Sequence, residues 1–168
     1  DEVLAEATPA DSVAFWAGSD DAPNLMSLRS PGKFFGLAGL RAGFVLGATE
    51  RLAALRQQME PHTLSTPVSR VLANALSDRP WQETARRLLA EASSRLAGEL
   101  APLGEVGRAP FFCTVKRPQI EALSMHFARR GILIHGPVEG RIRLAPPSSA
   151  AGWQRLSETV SAWIASCR

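Results

Sequence analysis

The segment Ser30-Pro31-Gly32-Lys33-Phe34-Phe35-Gly36-Leu37-Ala38-Gly39 constrains this chain more than any other, because three glycines and a proline within ten residues exclude a regular element there. It lies between two short apolar runs, Leu25-Met26-Ser27-Leu28 and Gly43-Phe44-Val45-Leu46-Gly47, which read as buried strands. Small residues between two strands let a ligand approach the backbone. The pattern then turns helical. Residues 49–59 set Leu52 and Leu55 opposite Arg51 and Arg56, with Pro61 as the stop. Thr66-Pro67 reads as an N-cap and a first-turn proline, opening a helix through Val71, Leu72, Ala75 and Leu76.

Asp78-Arg79-Pro80 punctuates the chain and marks a boundary between residues 1–78 and residues 79–168. Beyond it, Trp81, Ala85, Leu88, Ala92, Leu96 and Leu100 recur three or four apart, which predicts one long helix buried along a single face. Short strands follow at 111–115, 132–135 and 141–144, with a helix over 119–129 and a closing helix striped by Trp153, Leu156, Val160, Trp163, Ile164 and Cys167. This alternation is an α/β pattern. The chain begins without Met, and its first residues read as the end of an element, so a fragment of a longer protein is expected.

Composition excludes several functions. A chain of 168 residues, 45% hydrophobic and 21% charged, is that of a soluble globular protein. The net charge of +3 comes mostly from scattered arginines with acids between them, without the clustered charge of a nucleic-acid reader. No apolar run reaches membrane-spanning length and no signal peptide opens the chain, so no membrane partner and a cytoplasmic location are expected. Cys113 and Cys167 lack a CxxC partner and read as two reduced thiols, while His62, His126 and His135 share no ligand spacing, so no metal site is expected.

The chain has only two lysines, Lys33 and Lys116, and the first stands in the glycine-rich loop. A lysine that condenses with a carbonyl must be unprotonated part of the time, which burial and a nearby cation such as Arg41 favour. The Ser30 hydroxyl and the Arg41 fork are donors suited to a phosphate dianion, and Gly32, Gly36 and Gly39 leave room for a flat ring. These parts describe a site for a phosphorylated carbonyl cofactor. By composition alone, the same lysine is a solvated loop residue.

The run Ser30-x-x-Lys33-x-x-Gly36-Leu37-Ala38-Gly39-Leu40-Arg41-x-Gly43 resembles the lysine motif of the class I/II aminotransferases and related decarboxylases, of pyridoxal-phosphate fold type I. The resemblance implies that Lys33 carries pyridoxal 5′-phosphate, that Ser30 and Arg41 contact its phosphate, and that Asp1 faces the pyridine nitrogen. Leu4 stands where the family has a tyrosine, and the chain contains no tyrosine at all. Within the family the closest likeness is to the threonine-phosphate decarboxylases of cobalamin biosynthesis, through Leu28-Arg29-Ser30 to Gly43-Phe44 and through 65–81, 131–134 and 141–156. Arg143 matches the carboxylate-binding arginine of that branch. His135 stands where its members often carry an arginine; on its own terms, a histidine at a strand end before Gly136-Pro137 is more often a packed or hydrogen-bonded residue than a catalyst.

The implied fold is α/β. Residues 1–78 would be part of a large cofactor-binding domain, with parallel strands buried on both faces, and 79–168 a small C-terminal domain. The implied activity is decarboxylation of L-threonine O-3-phosphate by a homodimer when full length, acting on a small amino-acid substrate. Two alternatives stand beside it: an aminotransferase of the histidinol-phosphate type, and a non-catalytic truncated remnant, since the family's N-terminal half is not in the sequence.

Overall fold

The computed structural model describes residues 1–60 and 63–166, and it divides into two compact units, Asp1–Arg86 and Arg87–Arg168. The first unit opens with three 3₁₀ turns at Ala5–Ala7, Pro9–Asp11 and Ala14–Trp16. It continues with strands β1 (Ser27–Arg29) and β2 (Phe44–Leu46) and helices α1 (Thr49–Arg56) and α2 (Thr66–Ser77). Both strands fall inside the apolar runs that predict them, but their pairing corrects the expectation. They form an antiparallel ribbon with Ser27 opposite Leu46, Leu28 opposite Val45 and Arg29 opposite Phe44. Within this chain both strands are partly open, Leu28 being 49% and Leu46 40% exposed. The physical reason is the connection. A parallel pair needs a long crossover, usually through an α-helix, whereas residues 30–43 contain one 3₁₀ turn, Ala38–Leu40, and simply return.

Ser65, one residue before the predicted Thr66, takes the N-cap position of α2, with Pro67 in the first turn where its missing N–H costs nothing. Pro61, the predicted stop of the preceding helix, lies outside the described residues together with His62. Asp78 ends α2 and starts α3 (Arg79–Leu100), its Oδ1 accepting a hydrogen bond from the Trp81 N–H at 3.1 Å.

The long helix forms as its period predicts and buries the expected Leu96 and Leu100, but in its first half the buried face shifts to a neighbouring stripe. Trp81 is 43% and Leu88 52% exposed, while Gln82, Ser93, Leu96 and Leu100 are buried. The true stripe carries polar residues that satisfy themselves. Gln82 Nε2 donates to the carbonyls of Ala75 and Leu76, and Ser93 Oγ donates to the Ala109 carbonyl. A pattern read on hydrophobicity alone selects the neighbouring stripe instead.

In the second unit β3 (Glu105–Ala109), β4 (Phe112–Lys116), β5 (His135–Val138) and β6 (Arg141–Leu144) make one antiparallel sheet in the order β3-β4-β6-β5. Helices α4 (Ile120–Arg129) and α5 (Ala150–Ser166) complete it. β3 was not legible because Glu105-Val106-Gly107-Arg108-Ala109 has no apolar alternation; the two-residue return at Pro110-Phe111 is what pairs it with β4. β5 lies three residues beyond its predicted position. A tight turn with Glu139 at φ 51° and Gly140 at φ 70° sets Val138 opposite Arg141 and His135 opposite Arg143, which fixes the strand by pairing rather than by apolar content. Ile132 and Ile134 instead pack against the core, and Leu133 is 97% exposed.

That core gathers Leu96, Leu100, Leu103, Cys113, Val115, Ile120, Leu123, Phe127, Ile142, Leu144, Leu156, Val160 and Trp163 between one sheet face and the helices. Leu156, Val160 and Trp163 are buried as the closing stripe predicts; Cys167 lies outside the described residues.

Candidate active site

The shape of the lysine loop follows from where its aromatic residues go. Phe34 is buried, edge-on to Trp81 with ring centroids 5.5 Å apart, and the Arg86 guanidinium lies 5.3 Å from its ring centre. Phe35 stacks on Trp81 at 5.6 Å. With its neighbour anchored inward, Lys33 points outward and is exposed.

After the two phenylalanines the chain turns through Gly36 at φ 68°, a conformation open to glycine without strain. A side chain on Gly36 or Gly39 would meet nothing within 4 Å, and neither glycine lines the cavity that the loop forms. Gly32 has a different role. A Cβ there would lie 3.2 Å from Ser30 Oγ and 3.3 Å from the Ala38 Cα, so this glycine permits close packing of the loop on itself. Arg41 ends the 3₁₀ turn in the left-handed region at φ 51° and donates from Nη1 to the Ala38 carbonyl at 3.1 Å.

The result is a cavity of about 400 Å³ lined by Val3, Ser30, Gly32, Lys33, Ala38, Arg41 and Ala42, a size within the range of small-molecule sites. Ser30, Lys33 and Arg41 thus share one cavity. Ser30 Oγ accepts from the Gly32 N–H at 3.1 Å, which leaves its O–H to donate. Arg41 has five N–H donors, of which the Ala38 contact uses one. A primary amine, a hydroxyl donor and a guanidinium around one cavity is a donor set that fits a phosphorylated aldehyde.

Asp1 is exposed, and its Oδ1 accepts from the Val3 N–H at 3.1 Å; Val3, not Asp1, is among the residues lining the cavity. Leu4, in the place of the family tyrosine, is half-buried.

In the second unit Arg143 is exposed on β6, on the sheet face opposite the buried Ile142 and Leu144, with its guanidinium 4.9 Å from the centre of the Phe112 ring. Arg141 shares that face and pairs with Glu105 at 3.7 Å. His135 is exposed as the cross-strand partner of Arg143. His126 has a structural role, with Nε2 3.0 Å from the Thr159 carbonyl and Nδ1 3.1 Å from Arg130 Nη1. Among the described residues no group of three or more potential ligands could hold a metal ion.

The sequence reading missed Glu2. Its carboxylate, 11% exposed, accepts from Ser27 Oγ at 2.6 Å, Ser12 Oγ at 3.0 Å and the Val13 N–H at 2.7 Å, with Arg29 Nη1 at 3.5 Å. Burial pushes the carboxyl pKa up, but the hydrogen bonds from Ser27, Val13 and Ser12 and the charge of Arg29 outweigh it and hold the group below its ordinary value. These partners are spread along the chain with no helical or strand period, so no pattern announces them.

Comparison with known proteins places the chain. It is 40% identical over 159 residues to a threonine-phosphate decarboxylase of Pseudomonas aeruginosa, covering 93% of this chain and 47% of that protein. It is 41% identical over 95 residues to a histidinol-phosphate aminotransferase of Serratia proteamaculans, covering 56% of this chain and 26% of that protein. Its fold matches the solved histidinol-phosphate aminotransferase of Sinorhizobium meliloti, a complex with pyridoxal-5′-phosphate, with a TM-score of 0.78 at 20% identity over 97% of this chain and 48% of the other. The corresponding enzyme of Clostridium acetobutylicum matches with a TM-score of 0.78 at 18% identity, over 94% and 51%. The chain spans about half the length of these relatives or less. The family model for class I and II aminotransferases matches residues 1–151, and the chain belongs to that family, whose cofactor is pyridoxal 5′-phosphate.

Proposed function

We propose that this chain carries the lysine-bearing part of a pyridoxal-phosphate lyase that decarboxylates L-threonine O-3-phosphate in cobalamin biosynthesis. The observation that carries the reading is the meeting of Ser30, Lys33 and Arg41 at one cavity, in a chain 40% identical to a threonine-phosphate decarboxylase over nearly its whole length. Lys33 Nζ would hold the cofactor covalently and, when free, would return a proton to Cα as general acid. The Ser30 hydroxyl and the Arg41 guanidinium bind the cofactor phosphate. The Asp1 carboxylate keeps the proton on the pyridine nitrogen, and Arg143 grips the substrate carboxylate. When bound, pyridoxal phosphate supplies a ring that takes up the electron pair left at Cα.

A second reading, an aminotransferase, is favoured by the match to histidinol-phosphate aminotransferases over half of the chain. The two differ in which bond to Cα breaks, the one to the carboxyl carbon or the one to hydrogen. We further propose that the working protein is a cytoplasmic homodimer and that the 168-residue chain alone does not turn over; no described helix is long and apolar enough to cross a membrane.

The reactions are separated by giving the full-length protein and pyridoxal phosphate L-threonine O-3-phosphate labelled at its carboxyl carbon. Label released as carbon dioxide is the predicted result. Label retained in a keto acid, formed only with an amino-group acceptor present, would assign the aminotransferase.

A further inference from the structure

We propose that Glu2 is a positioning residue, holding segment 1–3 in register with the lysine loop through Ser27 and Arg29. The inference rests on the reading that Asp1 and Lys33 contact the cofactor. Glu2 is bound to β1 twice over. Its backbone N–H donates to the Leu28 carbonyl at 2.8 Å, and its carboxylate takes the Ser27 hydroxyl at 2.6 Å and the Arg29 guanidinium at 3.5 Å. On one side of Glu2 stands Asp1, and on the other Val3, which lines the cavity. β1 runs directly into Ser30, so the strand that Glu2 grips also sets where the loop begins.

The same network reaches the middle of the loop. Arg29 is shared between Glu2 and Glu6, and the Glu6 carbonyl accepts from Arg86 Nε at 2.8 Å. Arg86 in turn lies over the ring of Phe34, the residue next to Lys33. A cofactor touched by Asp1 on one side and by Ser30 and Lys33 on the other is sensitive to the spacing between those segments. A displacement of about 1 Å costs on the order of a hundredfold in a reaction of this kind. Ser27 is 2% exposed and the side chains of Glu2 and Arg29 are 11% and 14% exposed, so the network has little room to relax when one member is changed.

The test uses full-length protein loaded with pyridoxal phosphate, and three variants, Glu2→Gln, Ser27→Ala and Asp1→Asn. Each is followed by thermal unfolding, by the cofactor dissociation constant and by the pH titration of the visible absorbance of the bound cofactor. Glu2→Gln is predicted to weaken cofactor binding about tenfold, the worth of one charge-assisted hydrogen bond, and to move the absorbance titration while borohydride still fixes the cofactor on Lys33. Ser27→Ala moves both readouts the same way by less, and it decides the matter by itself if Glu2→Gln does not fold. Wild-type affinity and titration in the Glu2 and Ser27 variants, beside a shifted titration in Asp1→Asn, would reduce Glu2 to a stabilising residue and overturn the inference. An unmoved titration in Asp1→Asn would instead overturn the placement of Asp1, and the inference with it.

Discussion

Glu2 and Cys113 have their ionisation moved by the fold in opposite senses, and each gives a measurable consequence. The Glu2 carboxyl is held below its ordinary value of 4.5, so its charge contributes stability that is present above that pH and lost as pH falls through the folded value. Unfolding followed from pH 7 downward should show the gap between wild type and Glu2→Gln at its full size above pH 4.5 and closing below it. A gap independent of pH would show that the carboxylate charge is not what the network uses. Cys113 is fully buried, and burial pushes its thiol up, offset in part by the Ser93 contact and the Arg108 charge. Alkylation mapped by mass spectrometry should therefore leave Cys113 unmodified in folded protein and label it in urea. Arg143→Lys should raise the Michaelis constant for amino-acid substrates by about tenfold with the cofactor still bound, because a point charge cannot replace a bidentate clamp. An unchanged constant would remove Arg143 from the proposal. At this scale the lysine loop was legible because its residue types are unusual together. Glu2 was not, since Ser12, Ser27 and Arg29 meet it only after folding.

The elements were legible where apolar period and local chemistry agree, as in α2, α4 and α5, and obscure where pairing decides. β3 and β5 owe their places to two-residue returns, and the antiparallel β1–β2 ribbon owes its direction to a connection without a crossover helix. The end of the α3 stripe was legible in Leu96 and Leu100, whereas the part before it was obscure because Gln82 and Ser93 are buried there as satisfied polar residues in place of Trp81 and Leu88. The entry into β3 gives a sharp test. A Cβ on Gly104 would lie 2.5 Å from the Lys116 carbonyl oxygen, a backbone atom that cannot move without breaking the β3–β4 pairing. Gly104→Ala should cost about 1–3 kcal/mol in chemical denaturation. Gly98→Ala, on an exposed position of α3 where a Cβ meets nothing within 4 Å, should stabilise by about 0.5–1 kcal/mol. Equal effects at the two sites would contradict the placement of β3 against β4.

Across the molecule, the two units differ in how they are held. The second has a contiguous core from Leu96 to Trp163, whereas among the described residues of the first the large buried apolar side chains are Phe34 and Leu72, and it leaves Phe15 86% exposed. Hydrogen exchange on the 168-residue chain should accordingly find the slowest amides in β4, β6 and the helices packed on them, and faster exchange in β1, β2 and α1. The reverse order would mean that the first unit is stabilised by contacts other than those described. The family and α/β class were legible from one motif, whereas the openness of the first unit was not, because Phe15 and Trp16 sit in a 3₁₀ turn that follows no helical or strand period. The central claim, that the cavity of Ser30, Lys33 and Arg41 holds the cofactor through the lysine, has a direct test. Full-length protein is loaded with pyridoxal phosphate, reduced with borohydride, digested and mapped by mass spectrometry. The account predicts the reduced cofactor on Lys33 and no covalent cofactor in Lys33→Ala, whereas the cofactor on Lys116, or undiminished in Lys33→Ala, would contradict it.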